Sequence, residues 1–314
     1  MDIKGIIPAM VTPFNKDETL NEGALRQLVS YLIEGGVHGL FAVGSQGEFY
    51  ALTPNEKQRV WEIVADETAG RVPVYAGTAG ITTRETMMLN NLAERAGADA
   101  VSILTPFFIN PTQEELYKHY TTIADATRLP VLLYNNPGRA GGLNLSVDLV
   151  ARLAQHPNIA GIKDSSGDFS LTAEYLRCVD ESFTVLLGRD TLIYAGLTHG
   201  AKGSITATAN VAPRLVVEIY QAFMDGDWER SLAAQQRLAP LRHAFGLGTF
   251  PVVVKEALTL IGINAGPARA PVGPMPAENR EKLARVLREM GLLAKPAQIE
   301  ETEHLDSEVA GYSV

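Results

Sequence analysis

The sequence predicts an α/β chain, a (β/α)8 TIM barrel followed by a C-terminal helical domain. Three observations carry that expectation. Short apolar runs alternate with amphipathic, helix-like stretches along most of the chain. The runs are β-branched or apolar throughout, the signature of parallel strands covered on both faces. Eight such strand–helix units recur at spacings of about 20 to 35 residues, the rhythm of a barrel.

The expected strands are residues 6–11, 39–43, 74–77, 100–104, 131–134, 160–163, 184–187 and 203–205. Helix starts are marked between them. Thr53 precedes Pro54 and is followed by Glu56, which reads as an N-cap, a first-turn proline and a capping box. Thr82 with Glu85 and Thr112 with Glu115 repeat the box, while Gly35 and Gly97 stand where C-terminal caps belong. A doubly wound open sheet is the rival. It needs a Gly-rich phosphate turn after the first strand, and Val11-Thr12-Pro13-Phe14 is not one.

The barrel is expected over residues 1–225, with its last helix at 214–224. Helical stretches at 227–244, 251–260 and 277–290 exceed what a barrel needs and are assigned to a helical domain, 226–292. The acidic, aperiodic remainder, 293–314, reads as a mobile tail.

Composition narrows the function classes. The chain has 314 residues, of which 46% are hydrophobic and 20% charged, so a sizeable core is available. A net charge of −9 argues against a nucleic-acid partner. Cys178 is the single cysteine, which excludes an intramolecular disulfide and suits a reducing cytosol. The first residues lack the pattern of a signal peptide, and no run approaches the ~18 apolar residues of a membrane span. A cytoplasmic protein is expected.

Barrel chemistry sits at the C-terminal ends of the strands. Those ends offer Thr12, Gly44 to Glu48, Thr105 to Phe108, Tyr134 to Arg139, Lys163-Asp164, Gly188-Arg189-Asp190 and Thr206 to Thr208. Lys163 terminates an apolar strand, where loss of hydration favours the neutral amine. A neutral amine attacks a ketone and forms an imine, an electron sink once protonated. A strand-end lysine also reaches solvent by snorkelling, and the strand alone leaves both readings open. Tyr134 ends the neighbouring strand, where it either shuttles protons or caps the core. Ser45 lies in a Gly-flanked turn that would hold a carboxylate or be an ordinary βα turn. Arg139 would take a second carboxylate bidentately or face solvent.

Together these residues resemble the dihydrodipicolinate synthase/N-acetylneuraminate lyase superfamily of class I, Schiff-base, pyruvate-type aldolases. The resemblance spans residues 3–292 and rests on Pro8 with Thr12-Pro13-Phe14, Gly44-Ser45-Gln46-Gly47-Glu48, Tyr134-Asn135-Asn136-Pro137, Gly161-Ile162-Lys163-Asp164 and Ala209-Asn210. It implies Lys163 as the Schiff-base residue, Tyr134 as proton shuttle, and Ser45 and Gln46 around the keto-acid carboxylate. It implies a homotetramer, a dimer of dimers, and no metal or organic cofactor.

Departures from the family pattern bear on the substrate. The synthases carry a second tyrosine after the fourth strand, and this chain has Phe107-Phe108 there. Their second turn threonine is Gln46 here, and Phe107 and Ile81 replace polar groups of their lysine-feedback site. Arg139 resembles the synthase residue that meets the second substrate's carboxylate. Sialate lyases show Gly-x-Asp-Glu after the seventh strand, whereas this chain has Gly188-Arg189-Asp190-Thr191. The expected substrate contacts are therefore Gln46, Thr12, Arg139, Gly188, Arg189, Asp190, Thr206 and Phe108. The leading expectation is an aldolase or dehydratase of a short 2-keto-3-deoxy sugar acid or hydroxylated keto-diacid. The alternative is a synthase condensing pyruvate with aspartate semialdehyde. A non-catalytic keto-acid-binding regulator is the reading from another class.

Overall fold

The computed structural model describes residues 2–294. Eight parallel strands are hydrogen-bonded side by side: β1 (Gly5–Pro8), β2 (Leu40–Ala42), β3 (Val74–Gly77), β4 (Ala100–Leu104), β5 (Val131–Asn135), β6 (Ile159–Asp164), β7 (Thr184–Leu187) and β8 (Gly203–Thr206). Their order, β1-β8-β7-β6-β5-β4-β3-β2, runs once around a ring. The remaining gap closes where Ala9 bridges Phe41 and the Met10 N–H donates to the Phe41 carbonyl at 2.9 Å. The first strand is shorter than expected because the chain leaves the ladder beyond Ala9. The Val11 N–H instead meets the Asn210 side chain at 3.2 Å.

Helices α1 (Glu22–Glu34), α2 (Pro54–Thr68), α3 (Thr83–Arg95), α4 (Gln113–Asp125), α5 (Val147–Leu153), α6 (Phe169–Cys178), α7 (Ile193–Thr198) and α8 (Pro213–Met224) follow the strands in turn. The capping boxes at Thr53 and Thr112 close as expected. At Thr82 only half of the box forms, because the Glu85 carboxylate accepts from the Ile81 N–H instead.

Two apolar layers result. Ile7, Phe41, Tyr75, Ala100, Leu132, Leu186 and Ile205 fill the barrel interior, while the outward faces pack under the helices. Side chains alternate along a strand. Leu132 facing inward therefore puts Tyr134 inward, Leu186 puts Gly188 inward, and Ile205 puts Ala207 inward.

Three further helices follow the barrel: α9 (Trp228–Ala244), α10 (Val252–Leu260) and α11 (Ala277–Glu289). The long α9 packs along α8 and over the turn after β7, which brings it to the barrel's upper mouth. No helix among the described residues is long and apolar enough to cross a membrane. Of the expected tail, residues 295–314 lie outside the described residues.

Candidate active site

The strand ends open into a cavity of about 500 Å³ lined by residues from β1, β2, β5 to β8 and α9. Strand register explains its centre. Tyr134 on β5 pairs with Lys163 on β6. Lys163 is only 4% exposed, with Nζ 4.1 Å from the centre of the Tyr134 ring and 5.0 Å from that of Phe41. It has no ion-pair partner among the described residues, so its surroundings are aromatic rather than acidic.

Tyr134 is buried, and burial opposes ionisation of its hydroxyl. The Lys163 charge and neighbouring polar groups outweigh that penalty and hold the hydroxyl below its ordinary range. The Asn136 Nδ2 donates to the Tyr134 oxygen at 2.9 Å. The Ser45 and Ser165 hydroxyls also favour the phenolate, though neither completes a regular hydrogen bond to it.

Ser45 and Gln46 sit in the turn after β2, which is held under strain. Val43 and Glu48 flank it with φ of 61° and 56°, the left-handed region that non-glycine residues avoid. Gly47 leaves room for a close approach, since a Cβ there would lie 3.0 Å from the Met10 carbonyl oxygen. Glu48 anchors the turn from below. Its carboxylate meets Lys255 Nζ of α10 at 2.5 Å, both side chains being at most 1% exposed. That contact departs from hydrogen-bond angles, but its length makes it a direct ion pair. The Ser45 Oγ and both amide atoms of Gln46 are buried without a partner. Buried orphan groups cost about 1–3 kcal/mol each, which a bound polar ligand would recover.

Gly188 lines the cavity because nothing larger fits: a Cβ there would fall 1.8 Å from the Ser165 Oγ. Arg139 stacks its guanidinium 4.5 Å from the Phe250 ring centre. Arg189 is pinned by its Nε, which donates to the Ser165 carbonyl at 3.1 Å. Asp190 lies at the cavity wall with its carboxylate engaged. One oxygen accepts from the Ala207 N–H, the Thr208 N–H and the Thr208 hydroxyl at 3.0, 3.1 and 2.9 Å. The other lies 3.4 Å from the Arg242 Nε.

Three expected contacts do not line the cavity. Thr12 is 1% exposed and donates to the Gly47 carbonyl at 2.7 Å, so it braces the Ser45 turn. Thr206 is fully buried and accepts from the Ala209 N–H, which shapes the turn after β8. Phe108 is 94% exposed, with φ of 73°, on the loop after β4. Its neighbour Phe107 packs edge-on against Phe49 at 5.5 Å, so this loop brings no hydroxyl to the site.

Asn136 and Ala207, strand-end candidates without an expected role, line the cavity, and Ser165, Arg242, Phe245 and Phe250 line it without having been expected there. Ser165 adjoins the Lys163-Asp164 strand end, and alternation along the strands would have placed Ala207 at the cavity. Arg242, Phe245 and Phe250 carry no local signal. No group of three His, Cys, Asp or Glu among the described residues is placed to hold a metal ion.

A family model described as the dihydrodipicolinate synthetase family matches residues 2–290. The chain belongs to this family. Membership makes it a lyase of the class I, Schiff-base aldolase type. Relatives within this synthetase family include the 4-hydroxy-tetrahydrodipicolinate synthase of Methanopyrus kandleri. It is 41% identical over 293 residues, covering 93% of this chain and 97% of the relative. The same-named protein of Thermodesulfovibrio yellowstonii is 41% identical over 290 residues, covering 92% and 99%. Among solved structures, the chloride-inhibited dihydrodipicolinate synthase from Acinetobacter baumannii, complexed with pyruvate, superposes with a TM-score of 0.90. It is 36% identical and covers 93% of this chain and all of that one.

Proposed function

We propose that this family member forms a pyruvate imine on Lys163 and condenses it with aspartate semialdehyde, as a 4-hydroxy-tetrahydrodipicolinate synthase. The observation that carries the reading is Lys163 paired in register with a Tyr134 hydroxyl held below its ordinary range. The names and near-complete coverage of the relatives support the synthase over the other aldol reactions. Arg139 at the rim suits the carboxylate of the second substrate.

The proposed steps use the groups gathered at the strand ends. Once its proton passes to the Tyr134 phenolate, the Lys163 amine adds to the C2 carbonyl of pyruvate, and Tyr134 gives that proton to the oxygen that leaves as water. The iminium loses a C3 proton to the Tyr134 phenolate, and its electron pair falls back to nitrogen as an enamine. The C3 carbon attacks the aldehyde, whose oxygen takes up the proton held by Tyr134, and the amino group of the second substrate then adds to the imine carbon, closing the ring and displacing the Lys163 amine. The Ser45–Gln46 turn supplies unpaired donors for the pyruvate carboxylate.

Sodium borohydride with pyruvate should add a stable mass to Lys163, and Lys163→Ala should abolish it. An adduct that persists in the variant would defeat the imine reading. A coupled assay with aspartate semialdehyde tests the synthase step. A second reading, cleavage or dehydration of a hydroxylated keto-diacid, is favoured by Phe107 and Phe108, which leave the loop after β4 without the synthases' tyrosine. Turnover of such a diacid with none of aspartate semialdehyde would install it. The polyol version is disfavoured, because the Asp190 carboxylate is already engaged.

The proposal includes a homo-oligomeric assembly and a cytoplasmic location. Phe108 at 94% exposure and Ile109 at 45% on one loop support burial against a second copy. Light scattering at the mass of one chain would overturn that assembly.

A further inference from the structure

The cavity's charge is not explained by one keto-acid carboxylate. Lys163, Arg139, Arg189 and Arg242 line it, and Asp190 is the one acid among the lining residues, leaving an excess of three positive charges. This excess lies within a chain of net charge −9. Such focusing raises the local concentration of anions.

The arginines divide by position. Arg139 rises from the turn after β5 and rests on Phe250. Arg189 follows β7, and Arg242 descends from α9 onto the same wall. The Arg189 head is held by one hydrogen bond through its Nε, and the Arg242 head by an ion-pair contact. The Arg189 Nε meets the Ser165 carbonyl at 3.1 Å, and the Arg242 Nε faces the Asp190 carboxylate at 3.4 Å. No hydrogen bond among the described residues engages the terminal nitrogens of either, while the Nε contacts and the Phe245 ring centre, 5.3 Å from the Arg242 guanidinium, restrict where the heads lie. Forks of this kind match a carboxylate and lose little entropy on binding it. Meanwhile the Ser45–Gln46 turn has its own orphan groups for the keto-acid carboxylate, so the two arginines remain for another acid.

We propose that Arg189 and Arg242 form a subsite for the distal acid group of a single keto acid, apart from the Arg139 contact given to the aldehyde's carboxylate, so that this cavity favours keto diacids over keto monoacids. The proposal rests on the imine reading only for orientation, with the keto group at Lys163. It commits the specificity to charge at the far end rather than to hydroxyls.

The test compares equilibrium binding of 2-oxoglutarate and 2-oxopentanoate by calorimetry, since the second replaces the distal carboxylate by a methyl group. The wild-type chain is expected to favour 2-oxoglutarate by about 10- to 100-fold, the range of charge-assisted hydrogen bonds. Arg189→Gln with Arg242→Gln should bring the ratio within about 3-fold of unity. Arg285→Gln, on the exposed face of α11, should leave the ratio as it is. Because Arg242→Gln strips Asp190 of its partner, Arg189→Gln alone provides the test if the double variant fails to fold; it should lower the ratio by about 10-fold. Equal binding of the two acids by wild type, or an unchanged ratio in the arginine variants, would overturn the subsite. Borohydride trapping with pyruvate is read separately. A missing adduct with a high ratio removes the imine and keeps the subsite, and the reverse pattern removes the subsite alone.

Discussion

Tyr134 illustrates how opposing effects decide a residue's chemistry. Burial alone would push its hydroxyl up, yet the Lys163 charge, 4.1 Å from the ring centre, and the Asn136 donor, 2.9 Å from the oxygen, reverse the sign. A phenol poised in this way gives and takes a proton more readily at neutral pH. Tyr134→Phe removes the oxygen and keeps the ring that packs on Lys163. Turnover should fall by about 10²- to 10⁴-fold, with thermal unfolding nearly unchanged. A variant that retains more than a tenth of the activity would remove Tyr134 from the proton path. At this scale the misreadings also have a physical cause. Thr206 lies between Ile205 and Ala207, which both line the cavity, so alternation turns its own side chain away. Thr12 lies beyond the end of β1, where alternation no longer applies and its hydroxyl bonds to Gly47.

Among the elements, strands were legible because two-sided burial leaves a compositional mark, and helix starts because a cap needs particular side chains. The expected β3, β4 and β7 match to the residue, and the other strands shift only at their ends. What composition does not encode is which helices touch. His119 of α4 shows the consequence. Its Nδ1 pairs with the Thr83 hydroxyl of α3 at 2.9 Å, while its Nε2 is buried without a partner. Desolvation lowers its pKa from 6.5 to about 4. The unfolded state therefore takes up a proton that the folded state refuses between these values. The stability from a neutral His119 is fully present above pH 6.5 and is lost as pH falls towards 4. The loss amounts to ~3 kcal/mol at most. His119→Phe, which keeps a ring beside Tyr120, should flatten the acid limb of denaturant-measured stability over that window. An acid limb identical to wild type would place the pH dependence elsewhere.

For the whole molecule, the question is how helices that follow a complete barrel come to serve its mouth. In the sequence, residues 226–292 read only as a helical domain after the barrel, because nothing local in them marks a partner in it. The structure joins them to it by a buried ion pair between Lys255 of α10 and Glu48 beside the Ser45 turn. Lys255 also donates to the Pro267 carbonyl at 2.7 Å and lies 4.2 Å from the Phe14 ring centre. Its desolvation is severe enough to lower its pKa to about 8 against the opposing pull of Glu48. A pair this dry adds little over a matched apolar pair, but removing one member strands the other charge, at a cost of about 3–5 kcal/mol. Lys255→Met should therefore destabilise the fold by about that amount and, by freeing the strained turn, weaken pyruvate binding as well. Adding Glu48→Gln to the same chain removes the stranded charge and should recover a good part of the lost stability. Binding should recover less, since the turn still lacks its anchor. If the double variant is as unstable as the sum of the two single ones, the residues act independently and α10 does not hold the turn.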